Sequence, residues 1–299
     1  MVVRFAEKIS TIFRRYFMSR EVFSVNRTTY YSLPDKFRKS HDYCEFVINQ
    51  IEELVLDDKF IQLKVQTFEF SEDVMSRMDV PEEHIFDRLS ELGLTAELNK
   101  VVTNHLLLSL IMETCYFIQE SLLCCLKMRM TVCFTLLRKP FLEISIIIMK
   151  LLNESDFIDK FNNLEGFDPI KTTITEKKIL ISKTNQLLKN NFDDEDLYDL
   201  IFNKEFGDSL FNLTNSAIHL YTDRNPISAT EKQNLNLIFG TQENIDEMWE
   251  HIYDTIPMLL SFLAGALDEL VYKCTDVDQT VFDDRSSVRH MMRGICKVG

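Results

Sequence analysis

Apolar residues recur along almost the whole chain at the three- and four-residue steps that place them on one face of an α-helix. Over residues 3–18 the stripe is Phe5, Ile9, Ile12, Phe13, Tyr16 and Phe17, with Lys8, Arg14 and Arg15 off it. That pattern predicts a helix packed on a core, or one lying on a membrane surface, which the same spacing allows. Residues 25–39 read as a loop around Pro34, and 41–57 as a helix with Phe46, Ile48, Ile51, Leu54 and Val55 inward. The stretch 59–70 alternates and predicts either a strand pair or an irregular helix. Val80-Pro81-Glu82-Glu83 has the form of a helix start, and Gly93 the form of its C-terminal cap.

Two long helices follow, from Thr95 to about Lys127 and from about Met130 to Asn153. The short charged joint between them predicts an antiparallel hairpin. Pro140 lies inside the second and should kink it, freeing a carbonyl one turn earlier. Residues 164–173 read as a linker. Helices are predicted at about 174–190, 194–203 and 207–221, followed by a loop around Asn225-Pro226. Another long helix covers 243–273, with Pro257 a second kink point, and a short basic helix covers 283–293. The expected fold is therefore an all-α multi-helix bundle: an N-terminal helical region over 1–93, then a larger bundle over 94–299.

Composition supports this. The 299 residues include 7 Gly and 6 Pro, where average usage gives about 21 and 15. So few backbone breakers argue against β-sandwiches and Gly-rich nucleotide loops. The net charge is −14, which disfavours general coating of nucleic acid. Seven cysteines, an odd number with no CxxC pair, read as buried thiols of a reducing cytosol, not as disulfides or a zinc site. The charged N-terminus does not have the form of a signal peptide. The most apolar stretches, Leu106–Met112, Ile144–Met149 and Pro257–Leu267, fall short of the roughly 20 residues that cross a bilayer. The chain is expected to be cytoplasmic, without a transmembrane segment, a cofactor or a metal. It contains no GxSxG, GxxxxGK[ST], GxGxxG, HExxH or ExxH motif.

Three constellations carry candidate chemistry. Arg138 and Glu143 are ionisable residues in an otherwise apolar helix, and each needs a polar partner. Five residues apart, they lie about 140° apart on an ideal α-helix, so partners on other helices are expected, unless the kink at Pro140 brings the two together. His219 lies near the end of the helix NLTNSAIHLY and has an ordinary pKa suited to acid–base work. From Arg285 onward the chain holds four bases, Arg285, Arg289, Arg293 and Lys297, and no acid. The three arginines form one stripe, either docked on the protein's own acidic surface or offered to RNA or a protein partner. Arg285 and His290 also have an Arg-x4-His spacing that, in a ribonuclease, supplies phosphate stabilisation and proton transfer.

The long hairpin at about 95–153, the string LLRKPFLE at 136–143 and the helix NLTNSAIHLY at 212–221 together resemble all-helical bacterial proteins of the HEPN-like and abortive-infection type. The resemblance implies a bacterial phage-defence or toxin–antitoxin context and convergence of Arg138, Glu143 and His219. It also implies RNA cleavage at a dimer interface. Two functions follow as expectations. The first is a non-catalytic or weakly catalytic interaction and regulatory protein with a protein partner or a second copy of itself. The alternative is a metal-independent ribonuclease using Arg and His.

Overall fold

The computed structural model describes residues 2–4, 29–78, 84–188, 192–221, 226–230, 235–236 and 241–296. Its architecture is all-α, with 77% of residues helical. The order is β1 (Val2–Arg4), α1 (Asp35–Leu56), a 3₁₀ turn (Asp58–Leu63), β2 (Thr67–Glu69), α2 (Glu72–Met78), α3 (Ile85–Glu91) and α4 (Thr95–Leu126). Then come α5 (Met130–Arg138), a π-helical segment (Lys139–Ile144), α6 (Ser145–Asn153), α7 (Phe157–Asn163), α8 (Ile174–Leu187), α9 (Asp194–Phe202) and α10 (Leu210–Ile218). A short 3₁₀ turn (Pro226–Ser228) precedes the last two helices, α11 (Gln242–Cys274) and α12 (Gln279–Cys296).

Local chemistry sets the helix boundaries. Thr173 and Glu176 form a reciprocal capping box at the start of α8. The Asp193 carboxylate accepts the N–H groups of Glu195 and Asp196 and opens α9. At the end of α3, Gly93 adopts φ +70°. Its N–H donates to Ser90 O at 3.0 Å and that of Leu94 to Leu89 O at 2.9 Å, a Schellman closure that glycine makes without strain.

α4 and α5 pack as the expected antiparallel hairpin, and α10 lies against α5. α1 packs most extensively on α11 and also on α4, so it crosses the sequence boundary suggested near residue 93. One continuous core runs through Leu33–Leu63 and Leu107–Phe282, with Trp249, Tyr253, Phe134 and Phe141 among its largest buried side chains. The Trp249 indole N–H donates to the Cys125 carbonyl at 3.1 Å, tying α11 to the end of α4.

Several expectations need correction. Val3 and Arg4 belong to a strand that pairs antiparallel with β2, in register Val2 with Glu69 and Arg4 with Thr67. Residues 5–18 of the expected N-terminal helix, and the expected helix start at Val80–Glu83, lie outside the described residues. The ambiguous stretch 59–70 is both things in turn, a 3₁₀ turn and then β2.

The apolar-run count also understated the long helices. α4 and α11 each hold an 18-residue window, of mean hydropathy 1.4 and 1.3, long and apolar enough to cross a bilayer by length and composition. Polar residues such as Ser109 and Ser261 punctuate those windows, so no single run looked long. Within the fold, 56% and 78% of the two windows are buried, as in core helices.

Candidate functional site

Pro140 has no N–H to give the helical ladder, and the chain answers with a π-helical segment. The Ser145 N–H reaches five residues back to the Pro140 carbonyl. An i→i+5 ladder stacks residue i+5 nearly over residue i. Arg138 and Glu143 are five apart, and their side chains meet, Nε to Oε1 at 3.8 Å. This reverses the expectation from ideal α-geometry, which kept them apart.

The expected partner on another helix is also there. The Arg138 guanidinium donates to Asn215 Oδ1 at 2.8 Å and to Thr214 Oγ1 at 3.4 Å, both on α10. The pair is open to solvent, the Arg138 side chain 31% exposed and that of Glu143 39%. Next along the chain, the Lys139 ammonium pairs with Glu113 and sits 4.7 Å from the Phe117 ring centroid. The site thus offers a half-exposed guanidinium, loosely paired with its carboxylate and steadied by an amide.

His219 does not join it. It is the C-cap of α10, its N–H donating to Asn215 O at 3.0 Å and its carbonyl accepting from Asn236 Nδ2 at 2.7 Å. Its side chain is exposed.

The arginine stripe of α12 is built differently. Arg285 and Arg289 are 6% and 2% exposed and point inward. Asp268 of α11, 4% exposed, lies between them. Its Oδ1 accepts Arg285 Nε at 2.9 Å, and its Oδ2 pairs with an Arg289 terminal nitrogen at 2.6 Å. Arg285 also reaches Glu53 Oε2 at 3.0 Å and the Gln50 carbonyl at 2.5 Å on α1. Arg289 reaches Gln50 Oε1 at 3.0 Å, and the Gln50 amide donates back to the Arg285 carbonyl at 3.3 Å. Burying two guanidiniums is tolerable only with this degree of pairing.

Arg289 also lines a cavity of about 30 Å³, roughly the volume of one water molecule. His290 is exposed, and five residues of ordinary α-helix turn it away from the buried Arg285. Arg293 continues the spacing at intermediate exposure, and Lys297 lies outside the described residues.

The partners Asn215, Gln50, Glu53 and Asp268 were not singled out from the sequence. Asp268 had a readable signal: it is an acid inside the apolar run LAGALDELV, the same anomaly that marked Arg138.

A second buried polar network joins α1, α4 and α11. His41 Nδ1 lies 3.0 Å from the Tyr253 hydroxyl, and the Cys125 thiol 3.6 Å from that hydroxyl. Burial pushes the Tyr253 hydroxyl and the Cys133 thiol well above their ordinary pKa values. These are protonated core groups, not nucleophiles.

Among the described residues, no three His, Cys, Asp or Glu side chains are gathered so as to hold a metal ion. The chain matches no protein-family model, no curated protein and no solved structure.

Proposed function

We propose that this chain is a helical interaction protein that works through a protein partner and touches it with α12. The observation that carries the reading is the division of labour on that helix. Arg285 and Arg289 are spent inward on Asp268, Glu53 and Gln50. Val288, Met291 and Ile295 face outward, 38%, 55% and 59% exposed. Their spacing of three and then four residues is that of a helix laid into the apolar groove of another protein. A helix fixed rigidly from behind presents such a stripe at low entropic cost. The cytoplasmic, bacterial defence setting implied by the resemblance is part of the proposal.

The test is cross-linking in the native host with the parent chain and with a Met291→Glu, Ile295→Glu variant. A partner held by the parent and lost by the variant is the expected result. Identical cross-links in both, or a parent that remains an isolated monomer, overturn the reading.

One observation favours a second reading, RNA cleavage without metal: the Arg138 guanidinium is solvent-reachable beside Glu143. Purified protein incubated with RNA in the presence of a chelator tests it. Cleavage lost in Arg138→Ala supports this reading, and no cleavage by the parent removes it.

A further inference from the structure

We propose that the cavity between α11 and α12 is a binding site for a single water molecule, held by Arg289 Nε and Asp268 Oδ2, which completes the arginine network. The inner face of α12 carries this site, so it stands apart from whatever the outer face touches.

Arg285 and Arg289 are buried on one shared acid, yet their hydrogens are served unequally. Arg285 spends all three nitrogens: Nε on Asp268 Oδ1, one terminal nitrogen on Glu53 and the other on the Gln50 carbonyl. Arg289 spends two, one terminal nitrogen donating to Gln50 Oε1 and the other lying 2.6 Å from Asp268 Oδ2. No protein group accepts its Nε–H, and that atom is buried. Asp268 Oδ2 is short of a partner too, because its contact with Arg289 is close but lies off the hydrogen-bonding directions. Buried charged groups nearly always find a partner, since an unmet one carries its full desolvation penalty.

The space for that partner is at hand. Arg289 and Asp268 line the same cavity of about 30 Å³. A water needs more than about 10–15 Å³ and two to four polar partners. In a guanidinium, Nε–H and one terminal N–H run parallel along one edge, like the prongs of a fork. The terminal nitrogen on that edge of Arg289 is the one at Asp268 Oδ2, so the Nε–H opens beside the same carboxylate. A water there accepts from Nε and donates to Oδ2. Ser261, also on the wall, adds acceptor capacity. Its hydroxyl donates to the Pro257 carbonyl at 2.7 Å and accepts from the Tyr43 hydroxyl at 2.7 Å, which leaves one lone pair.

Charge selects a neutral occupant. Glu269 and Asp283 line the cavity as well, so an anion on Arg289 Nε would face three carboxylates. A metal ion gains nothing from an N–H donor. The site asks for one small molecule that both accepts and donates, and water does both.

The purified full chain tests this without any substitution. In crystals soaked in sodium bromide, density for one water oxygen should lie within hydrogen-bonding distance of Arg289 Nε and Asp268 Oδ2, with no anomalous bromide signal. In solution, the Arg289 Nε–H of isotope-labelled protein should show NOE and ROE cross-peaks of opposite sign at the water frequency, which marks a held water and not proton exchange. The Arg285 Nε–H, donated to Asp268, should give a cross-peak at least about tenfold weaker, because its nearest oxygen is the carboxylate's. No density at the site, or Arg289 Nε turned onto a protein oxygen, overturns the proposal. A bromide peak there also overturns it, since the ligand would then be an anion. Equal cross-peaks on both arginines, or none on Arg289, overturn it in solution.

Discussion

Arg138 and Arg285 each have an ionisable residue five places ahead, and these two pairs came out opposite. Arg138 and Glu143 lie on a π-helical segment and their side chains meet at 3.8 Å. Arg285 and His290 lie on ordinary α-helix, one buried and the other exposed. The same interval means contact on one ladder and separation on the other. The fate of the guanidinium differs with it. Arg138 stays half in water with a loose carboxylate and an amide. Arg285 is sealed among a tight carboxylate, a second carboxylate and a backbone carbonyl. Spacing alone therefore nominates a pair, and the local backbone decides whether the pair exists.

The sealed side should be the more fragile. Asp268→Ala leaves two buried guanidiniums with two of their five polar contacts gone. Loss of one member of a buried ion network costs about 3–5 kcal/mol. Urea or thermal unfolding of the variant measures it, and a loss below about 1 kcal/mol would show that water already reaches the network.

The open side should be more forgiving. Arg138→Ala removes hydrogen bonds to Asn215 and Thr214 that water can replace, so the expected loss is about 1 kcal/mol. If the two substitutions cost the same, exposure is not what separates the two arginines.

Much of this was legible in the sequence, for a physical reason. The helices and the hairpin follow from apolar periodicity, which burial enforces over many residues at once. Arg138 and Glu143 stood out because charges in an apolar run must find partners, and the stripe of α12 because its bases recur every four residues with no acid among them. The partners themselves did not, since Asn215 and Gln50 are ordinary polar residues until the fold brings them into range. The pairing of Arg138 with Glu143 stayed open in the sequence, because it turns on how the helix accommodates Pro140, which spacing alone does not say. Strand β1 was missed because three residues carry no period, and its pairing with β2 joins segments more than 60 residues apart.

Acid should probe a buried imidazole close to the open side. His251 packs against Phe134, one turn before Arg138, with ring centroids 6.1 Å apart. Burial lowers its pKa, against a smaller upward pull from Asp208 and Asp254. The unfolded chain has the ordinary value near 6.5. As pH falls below about 6.5 the unfolded state takes a proton that the folded state refuses, so stability declines with acidity until the lower folded value is reached. Urea titrations across that range should show the decline in the parent and a flatter profile in His251→Phe. An equal slope in both would place the titrating group elsewhere.

The smallest effect asks what holds the π segment in place. Pro140 starts it, because it cannot donate to the ladder. Annealing to α-helix, though, would rotate everything downstream by about 100°. Ile144, Ile146, Ile148, Met149 and Leu152 are all buried and would leave the core together. That cost far exceeds the one hydrogen bond an alanine N–H would regain, so the segment should survive Pro140→Ala. A double-mutant cycle on Arg138 and Glu143 reads this directly. A partly exposed pair couples by about 0.5 kcal/mol. The same coupling in the parent and in Pro140→Ala is expected, with the core as the restraint. If the coupling vanishes in Pro140→Ala, the proline alone maintains the bulge, and the contact between Arg138 and Glu143 belongs to one residue and not to the fold.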